Sequence, residues 1–286
     1  MIIGTISANP EVLRAIWNML HKETRQVTEL EQIKTQGLIL KLVNLNDNDR
    51  IFTVLTKDCG KITVMAKGIR SQKHKCFAAM QQFCYSDFVF ERRTGMYYPS
   101  EARVIENFYN IRSSIEKVSL SSYITDIVSA IPEEFPVEND YFSFILNTLY
   151  LIAKADVDKL GVEELIRLKA VFELKTVCEN GYMPEVTRCE FCNSPKNIEY
   201  LDITNGRVIC QDCWDKPVKC DMIKITQNVQ KSLYAICASD LRASLAVRPD
   251  KATIYTLSQI GEEYLKSQMD IYLTSLDYFK KLVFKS

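Results

Sequence analysis

The sequence holds two histidines, His21 and His74, and no His-Glu-x-x-His run, so it has little with which to build an open, catalytic metal site. No G-x-x-x-x-G-K-[ST] segment is present to cradle the phosphates of a nucleotide. No window approaches 18 uninterrupted apolar residues, which argues against a membrane-crossing helix, and the first residues lack the basic, apolar, small-residue layout of a signal peptide. Lys and Arg together number 36 and so do Asp and Glu, so bulk charge announces no polyanionic partner. Six cysteines (Cys59, Cys76, Cys84, Cys178, Cys220 and Cys237) are scattered without framework spacing, which suits a reducing compartment; the expected location is the cytoplasm. What remains is a chain of 286 residues, 47% of them apolar, with room for two or three domains built on real cores.

Four other cysteines are not scattered. Cys189/Cys192 and Cys210/Cys213 form two Cys-x-x-Cys pairs separated by seventeen residues, a spacing that reads as a four-cysteine zinc site. Each pair folds two sulfurs to one side of a tetrahedral metal, and the second pair closes the other side. Between them Tyr200 to Ile203 alternates like a strand, Asn205-Gly206 signals a hairpin turn, and Arg207 to Cys210 returns. The spacing therefore predicts a zinc ribbon. A thioredoxin-like pair should open a helix within a βαβ pattern, and neither pair has that setting. With no His, Asp or Glu motif beside it, the zinc is expected to be structural, one ion per chain.

From Thr35 the periodicity is two. TQGLILKLVN, DRIFTVLT, KITVMAK, FCYSDFVFE (Phe83 to Glu91) and MYYPSEARVIE are successive alternating runs, with Pro99 marking an edge or bulge in the last. Five short antiparallel strands in about seventy-five residues suit a small closed barrel, for which the oligonucleotide-binding fold is the leading candidate. Residues 35–107 carry eleven Lys/Arg against seven Asp/Glu, so this part is basic while the chain as a whole is neutral. No acidic residue occurs from Lys61 to Tyr85, a stretch containing Lys61, Lys67, Arg70, Lys73 and Lys75 with His74 beside them. Cations for phosphates and rings for bases are what nucleic-acid binding needs, and the candidate rings are Phe52, Phe77, Phe83, Tyr85, Tyr97 and Tyr98. On composition alone, however, a charge run is more often a solvated face, and most of those rings are expected in the core.

After Phe108 the pattern becomes helical. Leu120, Tyr123, Ile127 and Ile131 predict one helix up to Pro132, and Tyr141, Ile145, Leu149 and Ile152 a second beyond an acidic loop. Leu165, Leu168 and Phe172 predict a third that stops at Asn180-Gly181. Helices resume at about Thr226 to Ala238 and from Lys251 onward, where Leu265, Met269, Leu273 and Leu276 form a stripe. The ribbon is thus expected as an insertion in a helical domain. At the start of the chain, Pro10 to Leu20 could form an amphipathic helix after an Asn9 cap, within an extension expected to be loosely attached.

Several runs together resemble the RecO family, bacterial recombination mediators of DNA repair. These are Thr35-Gln36-Gly37-Leu38-Ile39-Leu40-Lys41, Asn48-Asp49-Arg50, Gly60-Lys61, Ala66-Lys67-Gly68, Gln81 to Phe83, and Gly181-Tyr182-Met183-Pro184 leading into the two cysteine pairs. The resemblance covers roughly 33–282. It implies an α+β multidomain chain: an extension at 1–33, a five-stranded antiparallel oligonucleotide-binding barrel at 34–108, and a helical domain at 109–286 with the zinc ribbon at 186–218. It further implies RecF-type recombinational repair without enzymatic chemistry: binding single- and double-stranded DNA, annealing strands, and helping to load recombinase onto DNA coated with single-stranded DNA-binding protein. That protein and RecR are the implied partners, and the bacterial cytoplasm, at the nucleoid, the implied place. Lys41 and Arg50 from these runs join the loop cations in an expected DNA-binding set of Lys41, Arg50, Lys61, Lys67, Arg70, Lys73 and Lys75. Where the family often carries two adjacent arginines after Ala-Lys-Gly, this chain has Ile69-Arg70-Ser71. The alternative reading is a scaffold that uses ribbon and helices for protein contacts and binds no nucleic acid.

Overall fold

The computed structural model describes residues 31–132, 139–214 and 221–284. The helix expected at 10–20 lies outside the described residues, as does Cys220. Contacts divide the described chain into two compact units, one up to Asn107 and one from Phe108 onward.

The first unit is built from β1 (Glu31–Asn44), β2 (Arg50–Thr56), β3 (Gly60–Ala66), β4 (Tyr85–Arg93) and β5 (Met96–Glu106). Their pairing runs β1-β2-β3-β5-β4 and returns to β1, a closed ring. At 14 residues, β1 is long enough to serve two neighbours: its first part pairs with β4 from Glu31↔Arg92, its second with β2 up to Asn44↔Arg50. The hand-over falls at Gly37, which faces Thr56 on one side and Ser86 on the other. A Cβ there would lie 2.8 Å from Val54 Cγ1 and 3.3 Å from the Leu55 carbonyl oxygen, closer than side chains tolerate. Closure between β3 and β5 is parallel and rests on the Val64↔Tyr97 pair. Pro99 sits beside a register shift between Val89 and Phe90, the bulge that its missing N–H favours.

Alternation fills the ring. Ile39, Phe52, Val54, Ile62, Val64, Phe88 and Phe90 form its interior, where Phe88 and Phe90 stack with centroids 4.9 Å apart. A bulge between Ile39 and Lys41 resets the period, so that Leu42 packs against the same cluster. Residues 67–84, between β3 and β4, form successive turns and contribute Ile69, Cys76, Ala79, Met80 and Cys84 to the interior. The fourth strand begins at Tyr85 rather than Phe83, because Phe83 adopts a left-handed backbone (φ 67°) at the end of those turns.

The second unit contains α1 (Ile115–Ala130), α2 (Asn139–Lys154), α3 (Val157–Leu160), α4 (Glu163–Glu179), α5 (Gln227–Ala238), α6 (Leu241–Ser244), α7 (Lys251–Met269) and α8 (Thr274–Val283). Side-chain oxygens of Ser114, Thr226 and Asp250 cap α1, α5 and α7, each accepting from a backbone N–H three residues on. The stripe from Leu265 to Leu276 is not one helix: Asp270 turns left-handed (φ 52°), ending α7 before α8 begins. Helix α4 is buried on every side from Leu165 to Val177, the mark of a central helix. Its charged residues are accommodated in pairs. Lys169 and Glu173 meet at 2.9 Å with both side chains at most 1% exposed, and the Tyr123 hydroxyl donates to Glu173 at 2.6 Å. Arg167 holds Glu164 at 2.7 Å and donates to the Leu245 and Val247 carbonyls.

Between α4 and α5 lies a small sheet of β6 (Glu185–Cys189), β7 (Ile198–Asp202), β8 (Arg207–Cys210) and β9 (Met222–Lys224), ordered β6-β8-β7-β9. No helix among the described residues is long and apolar enough to cross a membrane.

Candidate metal centre and nucleic-acid interface

The four-cysteine site is assembled by two turns. After β6 the chain reverses through Asn193, in the left-handed region (φ 58°), with its N–H donated to the Cys189 carbonyl at 2.9 Å. After β8 a short 3-10 turn, Gln211–Cys213, brings Cys213 back to Cys210. The hairpin joining β7 to β8 uses the expected Asn205-Gly206: the Asp202 carboxylate accepts from the Asn205 N–H at 3.0 Å and from its side-chain amide at 2.7 Å. Gly206 (φ 64°) lets the turn close beneath the Tyr264 hydroxyl, where a Cβ would collide.

The Sγ atoms of Cys189, Cys192, Cys210 and Cys213 all lie within 4.8 Å of one another. Cys192 and Cys210 are 3.7 Å apart. A tetrahedral ion with metal–sulfur bonds of about 2.3 Å requires sulfur–sulfur edges of about 3.8 Å, so the donor set fits a metal. Cys189, Cys210 and Cys213 are buried and Cys192 is exposed. The thiols are electrostatically unequal. Burial opposes ionisation of Cys189, but backbone N–H groups of Cys210, Cys192 and Phe191 outweigh it and bring that thiol down to about 6. Burial and the neighbouring sulfurs push Cys213 up to about 12. One sulfur is thus ready to ligate as a thiolate, while the last needs a cation to lose its proton. Side chains of the helices hold the ribbon by its backbone: Gln230 donates to the Val186 carbonyl at 2.8 Å, Gln268 to Ile203 at 2.9 Å and Thr204 at 3.0 Å.

The seven expected DNA-binding cations do not form one cluster. Arg50, Lys67 and Arg70 gather at the β1–β2 turn. The Asp49 carboxylate accepts from the Gly68 N–H at 2.8 Å, the Arg70 N–H bonds to the Asn48 carbonyl at 3.2 Å, and the Arg70 guanidinium reaches the Asn46 carbonyl at 3.3 Å. Hydrogen bonds from Asn46 and Gly68, with Lys67 nearby, hold the Asp49 carboxyl below its ordinary value. Lys73 and Lys75 follow on the exposed turns, and neither they, Lys67 nor Arg70 forms an ion pair among the described residues. His74 is tied to its own turn, its Nδ1 accepting from the Cys76 N–H at 3.2 Å. Lys61 lies on β3 opposite Leu55, which is five residues, or roughly 17 Å, along β2 from Arg50. Lys41 sits on the β1 bulge opposite Thr53.

Of the candidate rings, Phe52 and Phe83 are buried in the interior and unavailable to bases, whereas Tyr97 and Tyr98 remain half-exposed. The sequence reading passed over what covers these two. Arg92 lies over the Tyr97 ring at 5.7 Å and Arg93 over Tyr98 at 5.8 Å, on the β4–β5 hairpin. The signal was there in Arg92-Arg93-Thr94-Gly95: a Gly-containing turn that folds two arginines back onto the Tyr pair that follows it.

A closed five-stranded ring with a cationic turn region, followed by a helical unit carrying a four-thiol ribbon, defines a two-unit α+β protein. Comparison with known proteins gives the same division. A family model described as recombination protein O N terminal matches residues 30–108, and one described as recombination protein O C terminal matches 112–277. The chain belongs to the RecO family. A protein of Acetivibrio thermocellus named DNA repair protein RecO is 30% identical over 254 residues, covering 88% of this chain and 98% of its own. Proteins of the same name from Caldicellulosiruptor saccharolyticus and Alkaliphilus metalliredigens are 28% and 27% identical, each over 87% of this chain and 98% and 99% of their own.

Proposed function

We propose that this protein is a DNA-binding recombination mediator of DNA repair, acting in the cytoplasm at the nucleoid. It binds single- and double-stranded DNA, anneals strands and helps load recombinase onto DNA coated with single-stranded DNA-binding protein, with RecR as a second partner; it makes and breaks no covalent bonds. The observation that carries this is the tandem family match over both units, with relatives named for DNA repair. The ring order β1-β2-β3-β5-β4 supports an oligonucleotide-binding barrel, and the exposed cations of 67–75 supply charge for phosphates. The arginine-covered tyrosines of the β4–β5 hairpin offer rings on which bases can stack, on a loop such folds use for ligands. Cys189, Cys192, Cys210 and Cys213 hold one zinc ion, chosen by a four-thiolate tetrahedral donor set with no open position. Bound there, zinc supplies a covalent tie across the ribbon rather than chemistry.

Fluorescence anisotropy of a labelled single-stranded oligonucleotide, titrated with the full chain at two salt concentrations, tests the reading. Saturable binding that weakens with salt is expected. Absence of binding at low salt would leave the ribbon-and-helix scaffold in its place.

A further inference from the structure

The ribbon presents an aromatic pair that the metal centre does not use. Tyr200 on β7 and Trp214, the residue after Cys213, stack with ring centroids 3.8 Å apart and planes inclined by 20°. The backbone fixes both partners. The Trp214 N–H bonds to the Gln211 carbonyl at 3.2 Å, closing the turn that carries Cys213, while Tyr200 is paired with Ile209 on β8 and Lys224 on β9. The Tyr200 hydroxyl donates to Gln211 Oε1 at 3.4 Å, which ties its ring to the same turn. With Tyr200 over one face, Trp214 is still 41% exposed, and that exposure belongs to the opposite face and the edges of the indole.

The rim of the pair is polar. The Asn197 carbonyl accepts from the Gln211 N–H at 2.9 Å, which brings the exposed Lys196 to the Trp214 turn. Lys224 stands opposite Tyr200 across the β7–β9 pairing, 72% exposed, with the Glu199 carboxylate 3.5 Å from its ammonium. Asp212 lies exposed in the turn itself. The apolar face of a protein partner is met by several contiguous apolar side chains, whereas these rim positions supply charges and amides. One planar π face between two ammoniums matches instead a nucleobase carried on a phosphate chain.

We propose that Trp214, backed by Tyr200, is a stacking platform for one unpaired base of single-stranded DNA, with Lys196 and Lys224 serving the flanking phosphates. The inference rests on the DNA-binding reading above and adds to it a contact region on the ribbon. Tyr200 holds the indole plane in place before the ligand arrives, so little side-chain freedom is lost on binding. Every base has a π face, so the contact is indifferent to sequence; a base held in a duplex offers no free face, so the contact selects single strands. Stacking displaces no counterions. Unlike the lysines of 67–75, Trp214 therefore adds affinity without adding to the salt slope.

The test uses the full metal-loaded chain carrying Trp17→Phe, in which Trp214 is the one remaining tryptophan. A single-stranded oligonucleotide should quench Trp214 emission in step with anisotropy, while an abasic strand of the same length and a blunt duplex should leave the emission unchanged. In the otherwise wild-type chain, Trp214→Ala should weaken single-strand affinity about tenfold with the salt slope unchanged, and Trp214→Phe should recover most of the loss. If Trp214→Ala does not fold, the emission titration and Trp214→Phe carry the same decision. Oligonucleotide binding seen by anisotropy with Trp214 emission unchanged would overturn the platform, leave the DNA reading intact and assign the ring to a protein contact. Equal quenching by the abasic strand would overturn it as well. Absence of any oligonucleotide binding would remove the DNA reading itself, and the platform with it.

Discussion

Replacing Lys67, Lys73 and Lys75 together by alanine perturbs charge without touching the interior, because all three side chains are exposed and none forms an ion pair among the described residues. An ammonium on a mobile stem neutralises a phosphate but lacks the planar fork that reads a base edge, so the loss should be alike on unrelated sequences. Each contact on a single strand contributes about 0.7 to the slope of log affinity against log salt, so three contacts contribute about 2. Between about 50 and 200 mM salt, wild-type affinity should therefore fall roughly 20-fold more than that of the variant. Anisotropy titrations across that range, on two oligonucleotides of unrelated sequence, give the slopes. The matched control is Lys231, Lys266 and Lys281, exposed lysines of the helical unit. Equal flattening by the control and the loop variant would refute a dedicated role for the loop and reduce binding to diffuse charge.

Cys192→Ser should abolish stoichiometric zinc and open residues 185–213 to protease, because a structural zinc site contributes on the order of 10 kcal/mol of apparent binding energy; full metal content in the variant would sink the four-thiolate site. Lys169→Met strands the buried Glu173 carboxylate and should cost about 3–5 kcal/mol, lowering Tm by roughly 10 °C, with Lys169→Met/Glu173→Leu recovering most of it; a calorimetric shift within error would rule out a dependence on this pair. Asp49 should titrate below 3.8, so its small, solvent-screened stabilisation is present above that pH and lost as pH falls through the lower folded value; a carboxyl NMR titration at or above 3.8 contradicts its bonds to Asn46 and Gly68.

The parts of this fold that the sequence carries are those set by neighbours in the chain. Alternation gave the five strands, and cysteine spacing with Asn205-Gly206 gave the β7–β8 hairpin. The added ribbon strands β6 and β9 were invisible, since no tight turn joins either to its partner: β6 pairs in parallel with β8, and β9 returns to β7 across the whole of β8. Arg167, Lys169 and Lys175 were equally illegible. Charges at those positions, each with a carboxylate one turn away on the same helix, read as a solvated helix face, yet all three are at most 3% exposed, because each also finds carbonyl partners once α6, α7 or the end of α5 has packed. Phe52 and Phe83 lie in the core, as expected of most of the candidate rings; a ring in such a basic segment is consistent with stacking or with core, and burial decides which rings are which.

The runs that carry the family resemblance are mostly scaffold, and this separates recognition from binding. Thr35 donates its hydroxyl to Asp58 at 2.6 Å, the Gln36 amide donates to Asp87 at 3.1 Å, and Asp49 ties the β1–β2 turn to Gly68. These residues are committed to one another, whereas the exposed ammoniums of Lys67, Lys73 and Lys75 form no ion pair among the described residues. Gly37→Ala should accordingly damage binding through the fold. The new methyl meets Val54 at 2.8 Å where β1 passes from β4 to β2, an overpacking that costs about 1–3 kcal/mol. Exchanging Lys73 with Ser71 keeps the charge and leaves the interior untouched, so it should change neither stability nor salt slope. Denaturant unfolding and anisotropy on both variants decide the matter: a stable Gly37→Ala chain that has lost DNA affinity would make that run a contact surface and overturn the division.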